Sequence, residues 1–330
     1  MRVLIGYDGS DYANAAIDDL QRSGLPRAAT ALVVSVGETL LPTSPSESAA
    51  IIARATSRRV ITSLVQAQAQ AALAIDEASE LAEEGGQRVH ARFPYWGVHR
   101  EPLVGTPAQV IMQKADDWQA DLIVVGSHGR SALGRLLLGS VSKQVAIESR
   151  CSVRVARRVV DRINTPLRVI LGVDGSPGAE AAVRAVASRA WPAGTATRVI
   201  LVDQSLPASR MIDLPPKATI WLQTHNDEQL ATGRAMLDQA AEQMLASGLI
   251  VSTRLEKGSP PKVLKEEARM WEADCIVVGA RGFNSTLEGF RAGSVATALV
   301  SSASCPVEIV RPGQDEKSGY IDLSWATGSV

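Results

Sequence analysis

Aromatic residues and net charge are both scarce in this chain. Only 4% of the 330 residues are aromatic while 45% are hydrophobic, so the core must be built from aliphatic side chains. The 34 basic residues nearly balance the 35 acidic ones. Such a balance gives no overall electrostatic attraction to nucleic acid or to an anionic membrane surface. We therefore expect neither nucleic acid nor a membrane as a partner.

Cysteines and long apolar runs are also few. Cys151, Cys275 and Cys305 lie in or beside valine-rich segments and share no C-x-x-C spacing, which argues against a redox or metal role. No run of about 18 uncharged apolar residues occurs. The opening segment MRVLIGYDGS enters a strand pattern without a basic leader. These features predict a cytoplasmic protein.

Several well-known catalytic motifs are absent from the sequence. There is no G-x-x-x-x-G-K-[ST], which excludes a P-loop NTPase, and no G-x-G-x-x-G follows a first strand. The four histidines lack metal-ligand spacing, and no serine stands in the context of a hydrolase elbow. The sequence thus offers no strong catalytic constellation, and we expect any hydrolysis to be slow.

The chain is an internal repeat. The segment VLIGYDGS at 3–10 returns as VILGVDGS at 169–176, and Asp8 therefore corresponds to Asp174 at an offset of 174 − 8 = 166. Later segments correspond at an offset of 153, because Gly126 pairs with Gly279. The first half thus carries 166 − 153 = 13 extra residues. We expect a long or broken helix near residues 48–85 to contain them.

Each half alternates strands and helices and ends on a fifth strand. The strands are short Val/Ile/Leu runs without clean alternation, which indicates burial on both faces and a parallel sheet. The alternation implies right-handed crossovers and a doubly wound α/β sandwich. We divide the chain into a first domain at 1–157, a linker at 158–166, a second domain at 167–311 and a polar tail at 312–330.

Ligands of open parallel sheets bind beyond the carboxyl ends of the strands, and two features fall there. Asp8 closes the first strand, and the loop GSHGRSALGRLLLGSVS at 126–142 follows the fourth. Its glycines would let the backbone approach a bulky anion, and a helix beginning at Ser140 would offer N–H groups and a positive dipole end. On these residues alone, a phosphate site and a structural turn with an ordinary N-cap both stay open.

The polar residues near these features also allow two interpretations. Asp-Gly is a common turn signal, but a carboxylate at a strand end can accept hydrogen bonds from adenine or ribose, and the recurrence of Asp8 in the second half favours that role. His128 becomes Arg281 in the second half, which argues against a shared acid–base role. For Arg130 and Arg135, phosphate contact and a solvated helix face are alternatives.

The spacing G-x2-G-x9-G-[ST] behind DLIVVG, together with DGS at the end of the first strand, resembles the ATP-binding class of universal stress proteins. The resemblance covers both halves and implies two tandem doubly wound α/β domains, each with a five-stranded parallel sheet of order 3-2-1-4-5 flanked by helices. It also implies ATP or another adenine nucleotide as the ligand, with Mg²⁺ or Mn²⁺ as a candidate companion ion.

The resemblance assigns roles to residues of this chain. Asp8 would contact the adenosine, Val36 would line the adenine pocket, and the loop would hold ribose and phosphates. The assigned residues of the first half are Asp8, Val36, Gly126, Gly129, Arg130, Gly139, Ser140, Val141 and Ser142. Those of the second half are Asp174, Val202, Gly279, Gly282, Gly293 and Ser294.

The second half departs from the family pattern. Ten residues rather than nine stand between Gly282 and Gly293, and Ala296 takes the place of Ser142. We therefore expect the working site in the first half. The family commonly dimerises through its last strand, so the resemblance implies that the two halves pair with each other there, and it allows a homodimer.

The expected function is that of a cytoplasmic stress-response protein that senses or stores an adenine nucleotide state. Two alternatives stay open at this point. One is a weak ATPase or nucleotidyl-transfer enzyme that uses Asp8 or His128. The other is a nucleotide-free scaffold in which the glycines are structural.

Overall fold

The computed structural model describes residues 1–38, 58–129, 138–157, 166–203, 216–282 and 291–312, and within its helices the side chains of 58–68 and 216–229 are not described. Nearly all of the predicted linker and tail lie outside these ranges. None of the described helices is both long enough and apolar enough to cross a membrane.

The first half alternates strands with helices. Its strands are β1 (Arg2–Gly6), β2 (Thr30–Glu38), β3 (Gly97–Gly105), β4 (Leu122–Gly126) and β5 (Ser152–Ala156). Its helices are α1 (Asp11–Asp19), α2 (Arg58–Arg92), α3 (Pro107–Asp117) and α4 (Ser140–Glu148). A single 3₁₀ turn, Leu20–Arg22, continues α1.

The second half repeats this order. Its strands are β6 (Arg168–Val173), β7 (Ala196–Asp203), β8 (Ile250–Lys257), β9 (Cys275–Gly279) and β10 (Val307–Val310). Its helices are α5 (Pro177–Ala187), α6 (Pro216–Ala246), α7 (Pro260–Met270) and α8 (Ser294–Ser302). The expected long helix of the first half is α2, which has 35 residues against 31 in α6 and so holds only part of the 13-residue difference.

All ten strands form one sheet of order β3-β2-β1-β4-β5-β10-β9-β6-β7-β8. Each half is parallel throughout, and its strand order is the predicted 3-2-1-4-5. The halves join where β5 and β10 pair antiparallel, as the resemblance implied. Because the joint is antiparallel, the carboxyl ends of the strands of the two halves lie at opposite edges of the sheet.

The cores lie on both faces of the sheet and are largely aliphatic. On one face, side chains from both halves form a single cluster beneath α3, α4, α7 and α8. On the other face, each half has its own cluster, beneath α1 and α2 or beneath α5 and α6. The shared cluster shows that the joint is continuous with the hydrophobic interior.

The ends of β4 and β9 approach the first turn of a helix very closely. A Cβ atom built on Gly126 would lie 2.7 Å from the backbone carbonyl carbon and oxygen of Tyr12 in α1. A Cβ built on Gly279 would lie 2.6 Å from the Ala179 nitrogen in α5. Real Cβ atoms do not tolerate such distances, so both positions require glycine for helix–strand packing.

This packing predicts that Gly126→Ala lowers the free energy of unfolding by about 1–3 kcal/mol, because the added methyl group overpacks the contact with α1. Gly97→Ala is the matched control, since the nearest atom to its Cβ would be Thr30 Cγ2 at 3.9 Å. Urea denaturation followed by circular dichroism measures both. Equal losses in the two variants would show that the contact at Gly126 is not specific.

Candidate functional site

Asp8 is fixed at the carboxyl end of the central strand β1. Its Oδ1 accepts hydrogen bonds from the Ser10 backbone nitrogen at 3.1 Å and from Ser10 Oγ at 2.6 Å. Ser10 Oγ in turn accepts from the Ala13 backbone nitrogen at 3.1 Å and so caps α1. In the recurrent Asp-Gly-Ser segment, the serine that caps the helix therefore also orients the aspartate carboxylate.

The loop at 126–142, the candidate phosphate-binding loop, passes close to the Asp8 carboxylate at Gly129. A Cβ built on Gly129 would lie 2.9 Å from Asp8 Oδ2, so a side chain there would press on the carboxylate. The β1–β2 register ends with Gly6 paired with Val34, and Val36 lies two residues further along β2, partly buried against the shared core. The fold thus brings together Asp8 and Gly129, which are far apart in the sequence, and places Val36 near the end of the neighbouring strand.

The loop closes back on the end of β4 through two hydrogen bonds. The Gly139 nitrogen donates to the Ser127 carbonyl at 2.8 Å. The Ser142 hydroxyl is buried and donates to the Gly126 carbonyl at 2.5 Å. Ser142 was predicted to donate a hydrogen bond to phosphate, but in this structure its hydroxyl donates to the Gly126 carbonyl. Its contribution is to hold the start of α4 against the end of β4.

At the start of α4, the N-cap residue makes no side-chain hydrogen bond to the backbone donors within the described part of the chain. The N-cap residue is Gly139, whereas the N-cap of α1 is Ser10, which makes a side-chain hydrogen bond. Ser140 is exposed at the first position of α4. Val141 packs partly buried against the shared core, and its backbone N–H belongs to the first turn of α4. An uncapped helix start attracts anions, because its N–H groups and the helix dipole both favour negative charge.

The second half repeats the arrangement of aspartate, serine and glycine, but Ala296 replaces the polar Ser142. Asp174 Oδ1 accepts from the Ser176 nitrogen at 3.0 Å and from Ser176 Oγ at 2.5 Å, and a Cβ on Gly282 would lie 2.5 Å from Asp174 Oδ2. The Ser176 hydroxyl also lies 2.9 Å from the Arg281 carbonyl. The β6–β7 register places Val202 level with Asp174.

Among its described residues, the loop of the second half closes through a different set of hydrogen bonds. The Gly293 nitrogen donates to the Ala280 carbonyl at 2.7 Å, as Gly139 does in the first half. Ser294 begins α8 and is exposed. Ala296 is buried where Ser142 stands in the first half, and its methyl group cannot make the hydrogen bond that Ser142 donates to the end of β4.

His128 has a structural environment that the sequence did not reveal. The imidazole is 6% exposed, its Nδ1 lies 3.0 Å from Ser127 Oγ, and its ring centroid lies 4.7 Å from that of Tyr12. Its Nε2 is buried without a hydrogen-bond partner in the part of the chain that the structure describes. The predicted contacts Arg130 and Arg135 lie outside the described residues.

Neither a metal cluster nor a reactive thiol accompanies the site in the described ranges. No group of three or more His, Cys, Asp or Glu side chains there could hold a metal ion. The cysteines are free, and burial raises the pKa of Cys275 to about 11 and those of Cys151 and Cys305 to about 12. These thiols stay protonated at neutral pH and act as core side chains.

Comparison with known proteins finds similarity to several universal stress proteins. A universal stress protein of Mycolicibacterium smegmatis is 35% identical over 196 residues, which span 58% of this chain and 62% of that protein. The crystal structure of a universal stress protein from Archaeoglobus fulgidus covers 94% of this chain and 98% of its own, with a TM-score of 0.59 and 20% identity, and has the same fold. Another universal stress protein, solved in complex with cAMP, is 23% identical over 44% of this chain and 96% of its own, with a TM-score of 0.29.

The family comparison covers both halves of the repeat. The universal stress protein family matches residues 1–157 and 167–311. These ranges contain every strand and helix described above. The chain therefore belongs to the universal stress protein family.

Proposed function

We propose that the first half binds ATP or a related adenine nucleotide at the carboxyl edge of its sheet. The observation that carries this proposal is the meeting of Asp8, held by Ser10, with Gly129 of the loop that leads to the uncapped start of α4. A carboxylate acceptor beside an anion-binding helix start suits a ligand with a neutral nucleoside end and a charged phosphate end.

Each part of the site then has a distinct task. Asp8 accepts hydrogen bonds from the nucleoside, and Val36 offers apolar surface near the end of β2. Gly129 leaves room beside the carboxylate, and the N–H groups at the start of α4, with the Ser140 hydroxyl, receive the phosphates. Ser142 and Gly126 hold the loop in shape.

The second half is proposed to bind nucleotide more weakly or not at all. It lacks the hydroxyl of Ser142 that fastens the phosphate-binding helix start in the first half, while its Ser176 hydroxyl holds the beginning of the loop at the Arg281 carbonyl. A less firmly held helix start loses part of the preorganisation on which phosphate affinity depends. The extra residue of this loop falls among residues 283–292, most of which lie outside the described ranges.

A divalent cation has no ligand set of its own among the described side chains. Mg²⁺ or Mn²⁺ would therefore reach the site on the nucleotide phosphates, which are its main ligands in many nucleotide complexes. We assign no step of the function to the ion. The proposed role is to sense or store a nucleotide state in the cytoplasm and to regulate a partner.

The site predicts that Asp8→Ala weakens ATP binding about 10- to 100-fold, the cost of removing a hydrogen bond to a charged group. Isothermal titration calorimetry of the full chain should give one site per chain for the wild type. Asp174→Ala should leave that affinity unchanged, and so should Asp11→Ala, which removes an exposed carboxylate from the first turn of α1. Loss of binding in Asp174→Ala but not in Asp8→Ala would transfer the site to the second half.

We predict that His128 is not a catalytic base, because its side chain is buried and the corresponding residue of the second half is Arg281. Removing a true general base lowers turnover by about 10²–10⁴-fold. We expect His128→Gln to change the rate of ATP hydrolysis in a single-turnover assay by less than about threefold. A loss in the larger range, with ATP affinity retained, would support the ATPase alternative instead.

A further inference from the structure

Four charged side chains lie buried where the two halves meet. Arg154 of β5 donates to Asp19 of α1 from Nε at 2.6 Å and from Nη2 at 3.0 Å. Its Nη1 donates to Glu308 Oε2 of β10 at 3.1 Å. Arg189, just after α5, donates to the same Oε2 from Nη1 at 3.0 Å and to Oε1 from Nη2. We call Asp19, Arg154, Glu308 and Arg189 the charge chain.

The charge chain is removed from water almost completely. The Arg154 and Glu308 side chains are each 1% exposed. Burial alone would lower the pKa of Arg154, but Asp19 and Glu308 raise it overall. Burial would raise the pKa of Glu308, but Arg189 and Arg154 lower it overall. Both groups therefore stay charged, and the removal of either charge leaves the other with one buried counter-ion instead of two.

Arg154 and Glu308 occupy equivalent positions in the two halves, so their pair lies on the approximate twofold axis that relates β5 to β10. At an offset of 308 − 154 = 154, residues 153–155 correspond to 307–309. The observed register pairs Arg154 with Glu308, with one apolar pair on each side. An equivalent pairing of β5 with β5 of a second copy would place Arg154 against Arg154. Pairing of β10 with β10 would place Glu308 against Glu308.

Asp19 and Arg189, at the two ends of the charge chain, have no charged counterparts at the equivalent positions of the other half. The position that corresponds to Asp19 in the second half is Ala185, and the position that corresponds to Arg189 in the first half is Ser23, both at the offset of 166. Each half thus carries the counter-ion for its own central residue. A pairing of like halves would keep those counter-ions but replace the central attraction with a buried repulsion.

Two hydrogen bonds from arginines to backbone carbonyls across the joint do not discriminate in this way. Arg157 donates to the Val300 carbonyl, and Arg311 donates to the Ala146 carbonyl at 2.9 Å. These two contacts are equivalent at the offset of 154, so like halves could form them as well. Two further ion pairs cross the joint, Arg22 with Asp274 at 2.8 Å and Arg291 with Glu148 at 2.6 Å. Both are more exposed than Arg154 and Glu308, so the charge chain is the feature whose pairing with a like half would bury a repulsion.

We propose that the charge chain makes the joint selective, so that β5 accepts β10 and rejects a second copy of β5. The chain then pairs its own halves, and the joining edge is closed both to another copy and to single-domain relatives with a basic residue in the place of Glu308. Any homodimer must use another surface. This inference does not rest on nucleotide binding.

Two charge reversals in the full chain test the proposal. Arg154→Glu gathers three carboxylates at the joint, and Glu308→Arg gathers three guanidinium groups. Each variant alone should lose the pairing, seen as amide hydrogen exchange in β5 and β10 at least about tenfold faster than in the wild type. Exchange in β1 and β6 should stay slow and show that each half is folded.

Mixing the two variants should restore the native charges between chains. The intact β10 of the Arg154→Glu chain can meet the intact β5 of the Glu308→Arg chain and rebuild the charge chain. Native mass spectrometry should then show a one-to-one heterodimer that neither variant forms alone. Folded variants that keep wild-type exchange, that form no heterodimer, or that form homodimers as readily would overturn the proposal.

A milder variant decides the matter if the reversals do not fold. Glu308→Gln keeps the shape of the side chain but removes its charge, and exchange in β5 and β10 should rise about tenfold. Glu267→Gln is the matched control, because Glu267 is buried and accepts from Arg198 at 2.9 Å inside the second half. It should leave exchange in β5 and β10 unchanged. Equal exchange in the wild type and Glu308→Gln would overturn the proposal.

Discussion

The arrangement of the whole chain depends on the antiparallel pairing of β5 with β10. This contact converts two parallel sheets into one sheet of ten strands and makes the core on one face continuous. It also brings the end of α4 to the loop of the other half, where the Ala292 nitrogen donates to the Ile147 carbonyl at 2.8 Å. The helix that begins at the first candidate site therefore ends beside the second.

The candidate site follows from the direction of the strands rather than from any single motif. A parallel sheet gathers its carboxyl ends at one edge, so Asp8 and the loop after β4 must meet there. The serine that caps α1 then orients the carboxylate, and the glycine after His128 leaves it room. The same geometry recurs at Asp174, and the halves differ in the polar groups around it. Divergence has changed the surroundings of the site more than its frame.

The repeat and its apolar strands predicted the fold class, and the resemblance to the universal stress proteins implied the strand order and the pairing of the halves. They predicted less about single residues, because a sequence does not show which carbonyl a hydroxyl reaches. Ser142 was expected to face phosphate but fastens Gly126, and Gly126 proved to be needed for packing against α1. Arg154 and Glu308 gave no signal, because a charge within a short strand usually indicates an exposed position. Their partners are 135 and 119 residues away in sequence.

The central claim is that the first half holds one adenine nucleotide between Asp8 and the start of α4. Native mass spectrometry of the purified full chain, without added ligand and then with ATP, tests this claim most directly. The account predicts an added mass equal to one adenine nucleotide per chain at concentrations of ATP that leave the second half empty. A spectrum with no bound nucleotide under either condition would contradict the account and favour a scaffold.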